Sequence, residues 1–402
     1  MIDIKEKKDC VGCEACIQRC PKHCIFLLQD IEGFFYPKVN TNLCIQCGLC
    51  EKVCPVIHQA QPRKPIQVFA AKNPNENIRL KSSSGGIFTL LAEQIIDKGG
   101  VVFGAKFDKN WDVIHSYTET KEGLVAFRGS KYVQSKIGTS FQDTERFLRN
   151  GRDVLFSGTP CQIRGLKLFL GKDYEKLITV DFICHGVPSP GIWKKYLEEE
   201  TAHQYRSKNA GFPHIINNKG DIHIVDIQFR DKRIGWKNYS FSVLFSATKK
   251  KGEQNTILFT EPLDKNIYMK GFLNNLFLRP SCYACPAKSG KSYSDITIGD
   301  FWGIQHVLPE MDDDKGISII FLQKPKVKEL LKTISLKEIH YNTVIAYNPS
   351  IESSVRLTKK RTEFFKGISR KSFYRIIYDL TKISNLQKCR YFLGIIYSKI
   401  FS

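Results

Sequence analysis

A chain of 402 residues is two to three times the usual domain length, so more than one domain is expected. With 42% hydrophobic and 25% charged residues, composition excludes a disordered or collagen-like polymer. The formal net charge of +21 is unevenly placed, because from residue 356 onward twelve Lys or Arg face two acids; charge alone leaves nucleic acid, an anionic membrane, an acidic partner and a solvated surface all open.

The opening MIDIKEKKDC carries no apolar signal core, and no segment reaches about 18 consecutive apolar residues, so a cytoplasmic location is expected. Nine of the 14 cysteines precede residue 55 at metal-ligand spacing. In a reducing compartment they read as ligands and not as disulfides.

Cys10-Val-Gly-Cys13-Glu-Ala-Cys16-Ile-Gln-Arg-Cys20-Pro21 returns as Cys44-Ile-Gln-Cys47-Gly-Leu-Cys50-Glu-Lys-Val-Cys54-Pro55. Two-residue gaps let three thiolates take three corners of one [4Fe–4S] cubane, while the fourth, turned by proline, reaches the other cluster. The expected sets are therefore Cys10, Cys13, Cys16 and Cys54 for one cluster and Cys44, Cys47, Cys50 and Cys20 for the other. Zinc knuckles are the alternative, but they pair two CxxC units and do not repeat CxxCxxCxxxCP. Ile25 to Gln29 and Phe34 to Val39 are predicted as short strands around the turn Asp30-Ile-Glu-Gly33, which suits an α+β ferredoxin-like module over residues 1–60. Cys24 has no counterpart in the second half and reads as a small buried side chain. Gln61-Pro-Arg-Lys-Pro65 is a connector.

From residue 67 strands and helices alternate. Val68 to Ala71 is a strand, and Ser82 to Gly86 leads into a helix that ends at Gly99-Gly100, before a strand from Val101 to Phe107. A Ser/Gly loop at a helix N-terminus makes a phosphate-sized anion site or an ordinary cap. Asp153 to Gly158 is a strand running into Thr159-Pro160-Cys161-Gln162, which puts Cys161 at a helix start where thiolate is favoured. Leu177 to Ile183 delivers Cys184-His185-Gly186 at a strand end, the usual place for ligands in an α/β sheet. Cys282 and Cys285 follow as CxxC. With Cys389 set aside in the basic tail, Cys161, Cys184, Cys282 and Cys285 number what a third cubane takes; a zinc site, a catalytic cysteine with a redox CxxC, and buried thiols remain open. Between Ala202 and Lys265, alternating residues in Ile222 to Phe229, Tyr239 to Phe245 and Thr256 to Phe259 predict a β-rich insertion.

Five stretches occur in order: Ser84-Gly85-Gly86, Gly129-Ser130-Lys131-Tyr132-Val133, Phe156-Ser157-Gly158-Thr159-Pro160-Cys161-Gln162, Asp181-Phe182-Ile183-Cys184-His185-Gly186-Val187-Pro188-Ser189, and Asp295-Ile296-Thr297-Ile298-Gly299-Asp300-Phe301-Trp302-Gly303. Together they resemble the coenzyme F420 hydrogenase/dehydrogenase beta-subunit family. The resemblance implies an FAD-containing oxidoreductase in which a [4Fe–4S] cluster near the flavin relays electrons to or from it. In relatives the flavin exchanges hydride with a deazaflavin or reduces other substrates, and members also occur in bacterial surface-polysaccharide gene sets. Coenzyme F420 is thus an expected co-substrate. A redox partner protein such as ferredoxin or a reductase is the expected electron donor or acceptor.

On this reading residues 67–345 form an α/β flavin-binding domain with a β-rich insertion, and residues 346–402 a basic helical tail. Ser83, Ser84, Gly85 and Gly86 are assigned to the FAD phosphates, and Lys131 to an anion of flavin or substrate. His185 is a proton donor near the flavin or a hydrogen-bond partner of a cluster sulfur. Ser157, Thr159, Asp181 and Asp295 serve binding or folding, and Asp300 and Trp302 line a cofactor cleft or close the core. The tail places Ile376, Ile377, Leu380 and Ile383 at helical spacing from Phe373 among basic residues, followed by an apolar Tyr391 to Phe401. That pattern predicts peripheral contact with an anionic membrane, or packing on the chain's own domain. The rival functions are a non-enzymatic electron-transfer component and, disfavoured for want of any recognised module, a nucleic-acid-binding iron–sulfur protein.

Overall fold

The computed structural model describes residues 1–206, 222–248, 254–332 and 334–382. In the N-terminal module β1 (Ile25–Gln29) pairs antiparallel with β2 (Phe35–Val39), Ile25 facing Val39. Asp30 closes the turn by accepting backbone N–H bonds from Glu32 at 3.0 Å and Phe34 at 2.9 Å, the local bonding for which aspartate is favoured in turns. One-turn helices Ala15–Gln18 and Leu49–Lys52 each follow a left-handed residue, Glu14 and Gly48, and so fold the chain between the second and third cysteines of each repeat.

The body contributes β3 (Gln67–Ala71), β4 (Val101–Phe107), β5 (Val113–Thr118), β6 (Val154–Gly158), β7 (Leu177–Phe182), β8 (Ile222–Asp231), β9 (Ser240–Thr248), β10 (Gln254–Pro262), β11 (Ile296–Asp300), β12 (Ser318–Leu322) and β13 (Leu336–Glu338). Eight of them form one mixed sheet in the order β13-β3-β12-β11-β7-β6-β4-β5, and β10-β9-β8 form a separate antiparallel sheet. The centre of the large sheet, β11-β7-β6-β4, is parallel, with antiparallel strands on both flanks. Its strands are apolar runs such as Val154, Leu155 and Phe156 because both faces are covered. Helix Ile87–Asp97 covers one face, packing Leu91 and Ile95 against Val102 and Leu155. Helices Ser140–Arg149 and Pro160–Leu170 cover the other around Phe103, Phe141 and Phe156, and Val11, Ala15 and Val53 of the N-terminal module join that same core. Polar bonds fix this docking. The Glu14 carboxylate accepts from the backbone N–H of Ile137 and Gly138, both at 3.0 Å, and Arg361 holds Glu32 through two bonds of 3.0 and 2.7 Å.

The alternating segment forms the expected β-rich unit, the sheet β8-β9-β10. It packs with helices Pro190–Arg206, Ile267–Leu273, Lys359–Gly367 and Phe373–Thr381 around Trp193, Phe229, Phe241, Tyr268 and Phe277. The expectation of a membrane-facing helix is corrected here. Phe373, Ile376 and Ile377 are 0%, 3% and 0% exposed, seated against Tyr196, Tyr268 and Phe277. An apolar helical stripe serves a lipid interface or a core equally well, and an aromatic shelf was at hand. Ile383, Lys388, Cys389 and Tyr391 to Phe401 lie outside the described residues. Among the described residues no helix is long and apolar enough to cross a membrane.

Candidate functional site

Cys10, Cys13, Cys16 and Cys54 line one small cavity, and Cys20, Cys44, Cys47 and Cys50 line another. Cys24 joins the second, its Sγ 3.3 Å from that of Cys20. The second cavity looks outward: Cys47 is exposed, and Ile45 and Met1, which also line it, are 57% and 42% exposed. The first is closed over by the body of the protein through Gln134, Ser135, Lys136 and Arg279.

A third cavity gathers Cys161, Cys184, Cys282 and Cys285 from three places in the chain. Parallel pairing of β6 with β7 sets their ends side by side, Gly158 opposite Asp181, so the segments that follow each strand meet. Thr159 caps the helix carrying Cys161, with Gln162 completing the reciprocal capping box and Pro160 at the first turn. The 3-10 turn Pro280–Ala284 brings in Cys282, whose Sγ accepts from the Val187 N–H at 3.4 Å. Burial pushes the Cys161, Cys184 and Cys282 thiols up to about 12, the nearby cysteines adding to it. The helix N-terminus was expected to favour a Cys161 thiolate, and burial outweighs it. Four thiolates stay together in such a place only around a strongly cationic group, and an all-sulfur donor set is soft. Among the described residues no three His, Cys, Asp or Glu side chains converge on a single-ion position.

Beyond the shared wall Asp181–Val187 opens the main cavity, of about 450 Å3, within the range of cofactor sites. It lies where β6, β7 and β11 end at their carboxyl sides, with Gly158, Phe182 and Asp300 in its lining. Helix Ile87–Asp97 points its first turn into it, with Gly86 as an N-cap that offers no side-chain bond. Uncapped N–H groups and the helix dipole suit an anion there. Ser83, Ser84 and Gly86 line the cavity. The Ser83 hydroxyl is bonded to Ser130 N and Oγ at 2.6 and 2.8 Å, and the Ser84 hydroxyl donates to the Ile317 carbonyl at 2.8 Å. Gly85 serves the sheet instead: its N–H donates to Ser318 Oγ at 3.0 Å, and a Cβ there would come within 2.7 Å of Ala71 O and Ser318 N.

Lys131, expected to face an anion, lines the cavity but turns its ammonium back onto three carbonyls of its own loop, those of Ala126 and Arg128 at 2.9 Å and Gly129 at 3.2 Å. Burial lowers it to about 7. The correction follows from the long side chain, which reaches backbone acceptors before any ligand. His185 lies in the wall between the third and main cavities, held by a 2.6 Å bond from Nε2 to Asn275 Oδ1 and edge-on to Phe272. The motif polar groups now separate by role. Thr159 caps a helix and also lines the main cavity, while Asp295 accepts from Thr179 N and Oγ1 at 2.7 and 2.6 Å, an act of folding. Asp181, bonded to Thr297 Oγ1 at 2.5 Å, and Ser157 face the main cavity. Asp300 accepts from Trp236 Nε1 at 3.0 Å and pairs with Arg230, while Trp302 stacks on Trp236 at 5.0 Å; both line the cavity too.

Sequence reading missed three cavity residues. Arg230, from β8, is buried; its Nη1 holds Asp300 at 2.5 Å while Nε and Nη2 make no hydrogen bond. A bulge between Gln228 and Asp231 turns it inward. His115, on β5, is 3.0 Å from the Ser157 carbonyl through Nε2, so that nitrogen carries the proton and Nδ1 is an unpartnered acceptor. Burial lowers its pKa to about 4 and keeps the ring neutral. Arg128 lies beside the uncapped helix start, its Nε 3.3 Å from Thr89 Oγ1.

Family models for the C-terminal and N-terminal parts of the coenzyme F420 hydrogenase/dehydrogenase beta subunit match residues 151–345 and 68–141, and a 4Fe-4S dicluster domain model matches residues 9–57. The F subunit of the F(420)H(2) dehydrogenase of Methanosarcina mazei is 22% identical over 183 residues, which is 42% of this chain and 51% of that protein. An uncharacterized protein of Methanocaldococcus jannaschii is 24% identical over 207 residues, 44% of this chain and 56% of its own. A ferredoxin of Mycolicibacterium smegmatis is 38% identical over 55 residues, 14% of this chain and 41% of its own. The chain spans about half the length of the first two relatives. A solved structure of the F420-reducing [NiFe] hydrogenase complex from Methanosarcina barkeri aligns at 18% identity and a TM-score of 0.42, over 71% of this chain and 90% of that one.

Proposed function

Since the chain belongs to the coenzyme F420 hydrogenase/dehydrogenase beta-subunit family and carries a 4Fe-4S dicluster domain, we propose that it is an FAD-dependent iron–sulfur oxidoreductase. Three [4Fe–4S] clusters carry single electrons between a partner protein and the flavin, which acts on a small-molecule substrate, a deazaflavin such as coenzyme F420 or a polysaccharide-pathway compound. The observation that carries this reading is a series of cavities, of which the three inner ones share walls. Cys20 and the other outer cysteines line the solvent-facing one, and the helix Ala15–Gln18 leads from it to the cavity of Cys10. Val11 belongs to that cavity and to the cavity of Cys161, and Asp181–Val187 belong to the latter and to the main cavity.

Bound there, FAD would exchange electrons one at a time with iron–sulfur centres and two at a time with substrate. The chain's own residues divide the work of holding it. The uncapped helix start at Gly86 and the Arg128 guanidinium offer donors to a phosphate. Neutral His115 offers an acceptor, and Arg230 offers Nε and Nη2 to an oxygen pair of flavin or substrate. Trp302, Tyr239 and Phe272 exclude water from the far wall.

The test is the flavin released from anaerobically purified, cluster-loaded protein. About one FAD per chain beside about 12 iron atoms is expected. Arg128→Glu sets an anion at the phosphate end and should weaken FAD retention on the order of tenfold or more without loss of iron. Substitutions at Gly85 would disturb the sheet and report nothing about a ligand. Iron-replete protein that never takes up flavin would make the chain a carrier without its own substrate site.

A further inference from the structure

Arg279 lies where the N-terminal module meets the third cysteine cavity, three residues before Cys282, and is 1% exposed. Its Nε donates to the Cys10 carbonyl at 2.7 Å, Nη1 to Gln134 Oε1 at 2.9 Å, and Nη2 to the Phe35 carbonyl at 3.0 Å and to Cys10 Sγ at 3.4 Å. The Tyr36 ring lies 4.3 Å from its Cζ. A Cβ at Gly12, whose φ is +70°, would stand 2.9 Å from Cζ, so this close approach requires glycine there. Among the described residues no carboxylate pairs with it.

A buried guanidinium among carbonyls, an amide and ring faces lacks a bonded carboxylate, and burying a poorly compensated charge is costly. Glu14 and the Cys161 and Cys282 thiols feel its charge without a bond to it, and the one bonded neighbour able to carry negative charge is Cys10 Sγ. As a free thiol it is neutral, whereas as a ligand it belongs to an anionic cluster. We propose that Arg279 is a positioning residue that supplies the buried countercharge of the cluster held by Cys10, Cys13, Cys16 and Cys54. It thereby makes that cluster easier to reduce than the outer one held by Cys20, Cys44, Cys47 and Cys50, whose cavity is lined by no buried guanidinium or ammonium. The inference rests on the reading that clusters fill these cavities. An N–H···S bond and a nearby cation stabilise the electron added to a cluster, and more so where the surroundings are dry. The same residue fixes the next step inward, because its N–H donates to the Val187 carbonyl at 3.0 Å and its carbonyl accepts from the Cys282 N–H at 2.9 Å. One side chain therefore biases electron flow into the body while its backbone holds a ligand of the third cluster.

The experiment is a dithionite titration of full-length, cluster-loaded protein followed by electron paramagnetic resonance, with dithionite oxidised as each cluster takes one electron. Iron and sulfide are measured on every sample, and Cys10→Ser marks the inner cluster by changing its spectrum. Arg279→Gln should move that one midpoint to more negative potential, making its reduction on the order of tenfold less favourable, as expected for loss of a charge-assisted bond. The outer midpoint should stay, the third cluster's should move less because Cys161 and Cys282 feel Arg279 without a bond to it, and Arg279→Lys should recover part of the shift. Gln134→Glu keeps the arginine but sets a carboxylate at Nη1, and should move the same midpoint the same way, so the test survives if Arg279→Gln does not fold. Iron-replete variants with three unchanged midpoints, or with all three displaced alike, would overturn the proposal. Wild-type protein that takes up no iron in this module would overturn the cluster reading itself.

Discussion

Cys282→Ser combined with Cys285→Ser is expected to remove about four of about twelve iron atoms per chain, leaving the two N-terminal clusters in place. The loss is large because two remaining cysteines cannot hold a cubane, and because nothing else in that cavity offers a soft donor. It is also local. The N-terminal cysteines line separate cavities, and the module packs through Val11, Ala15 and Val53 and through Glu14 and Glu32, none of which the substitutions touch. In the wild-type protein the Cys161, Cys184 and Cys282 thiols are held up near 12 by burial, so iron binding there must release protons against that resistance. Lys288, whose ammonium donates to the Cys184 carbonyl at 2.5 Å, is the nearby cation that offsets part of it. Iron and acid-labile sulfide assays read the difference directly. Unchanged iron in the double variant, or one zinc per wild-type chain at this place, would sink the third cluster. Retained FAD in the iron-depleted variant is the further expectation, because the shared wall Asp181–Val187 continues from β7 and a serine at 282 keeps an acceptor for the Val187 N–H.

Some of this was legible in the sequence because spacing and chemistry coincide. The repeated CxxCxxCxxxCP fixes which thiols can reach one cubane, and alternation in apolar strands fixes a sheet. The third cysteine group could only be counted, since Cys161, Cys184 and the CxxC meet through strand pairing between residues more than twenty apart. Arg230 was hidden by the bulge: period-two reading puts Phe229 inward and its neighbour outward, whereas the irregularity between Gln228 and Asp231 leaves both buried. Arg279 gave no signal at all, because a buried arginine in Arg-Pro-Ser-Cys reads as any other turn. Lys131 misled in the opposite sense, since motif context marked a charge that the fold spends on carbonyls of its own loop. The Ser-Gly-Gly loop mixes both cases. Its helix start faces the cavity, while Gly85 is glycine for the sake of β3 and β12.

Phe373→Ala should lower the stability of the protein by about 3–5 kcal/mol, the cost of emptying a fully buried aromatic site. Its ring is 5.6 Å from that of Tyr196 and 6.0 Å from that of Phe277, and its backbone N–H donates to the Glu199 carboxylate at 3.0 and 2.8 Å, anchoring the helix start to helix Pro190–Arg206. Ser372 caps the same turn by accepting from the Arg375 N–H at 3.3 Å. Ile377→Asp should be more severe, for it sets an unpaired carboxylate where exposure is 0%. Removing everything after Arg370 should therefore yield unfolded chain, where a membrane-facing tail would have left a folded body. Flotation on anionic vesicles gives the complementary readout. Each cation near such a surface contributes about 1 kcal/mol, so the basic residues on their own can draw the chain to it. That attraction does not use Phe373 or Ile377, and Phe373→Ala should leave flotation unchanged while denaturation shifts. Full stability with lost flotation would instead return this apolar face to the membrane.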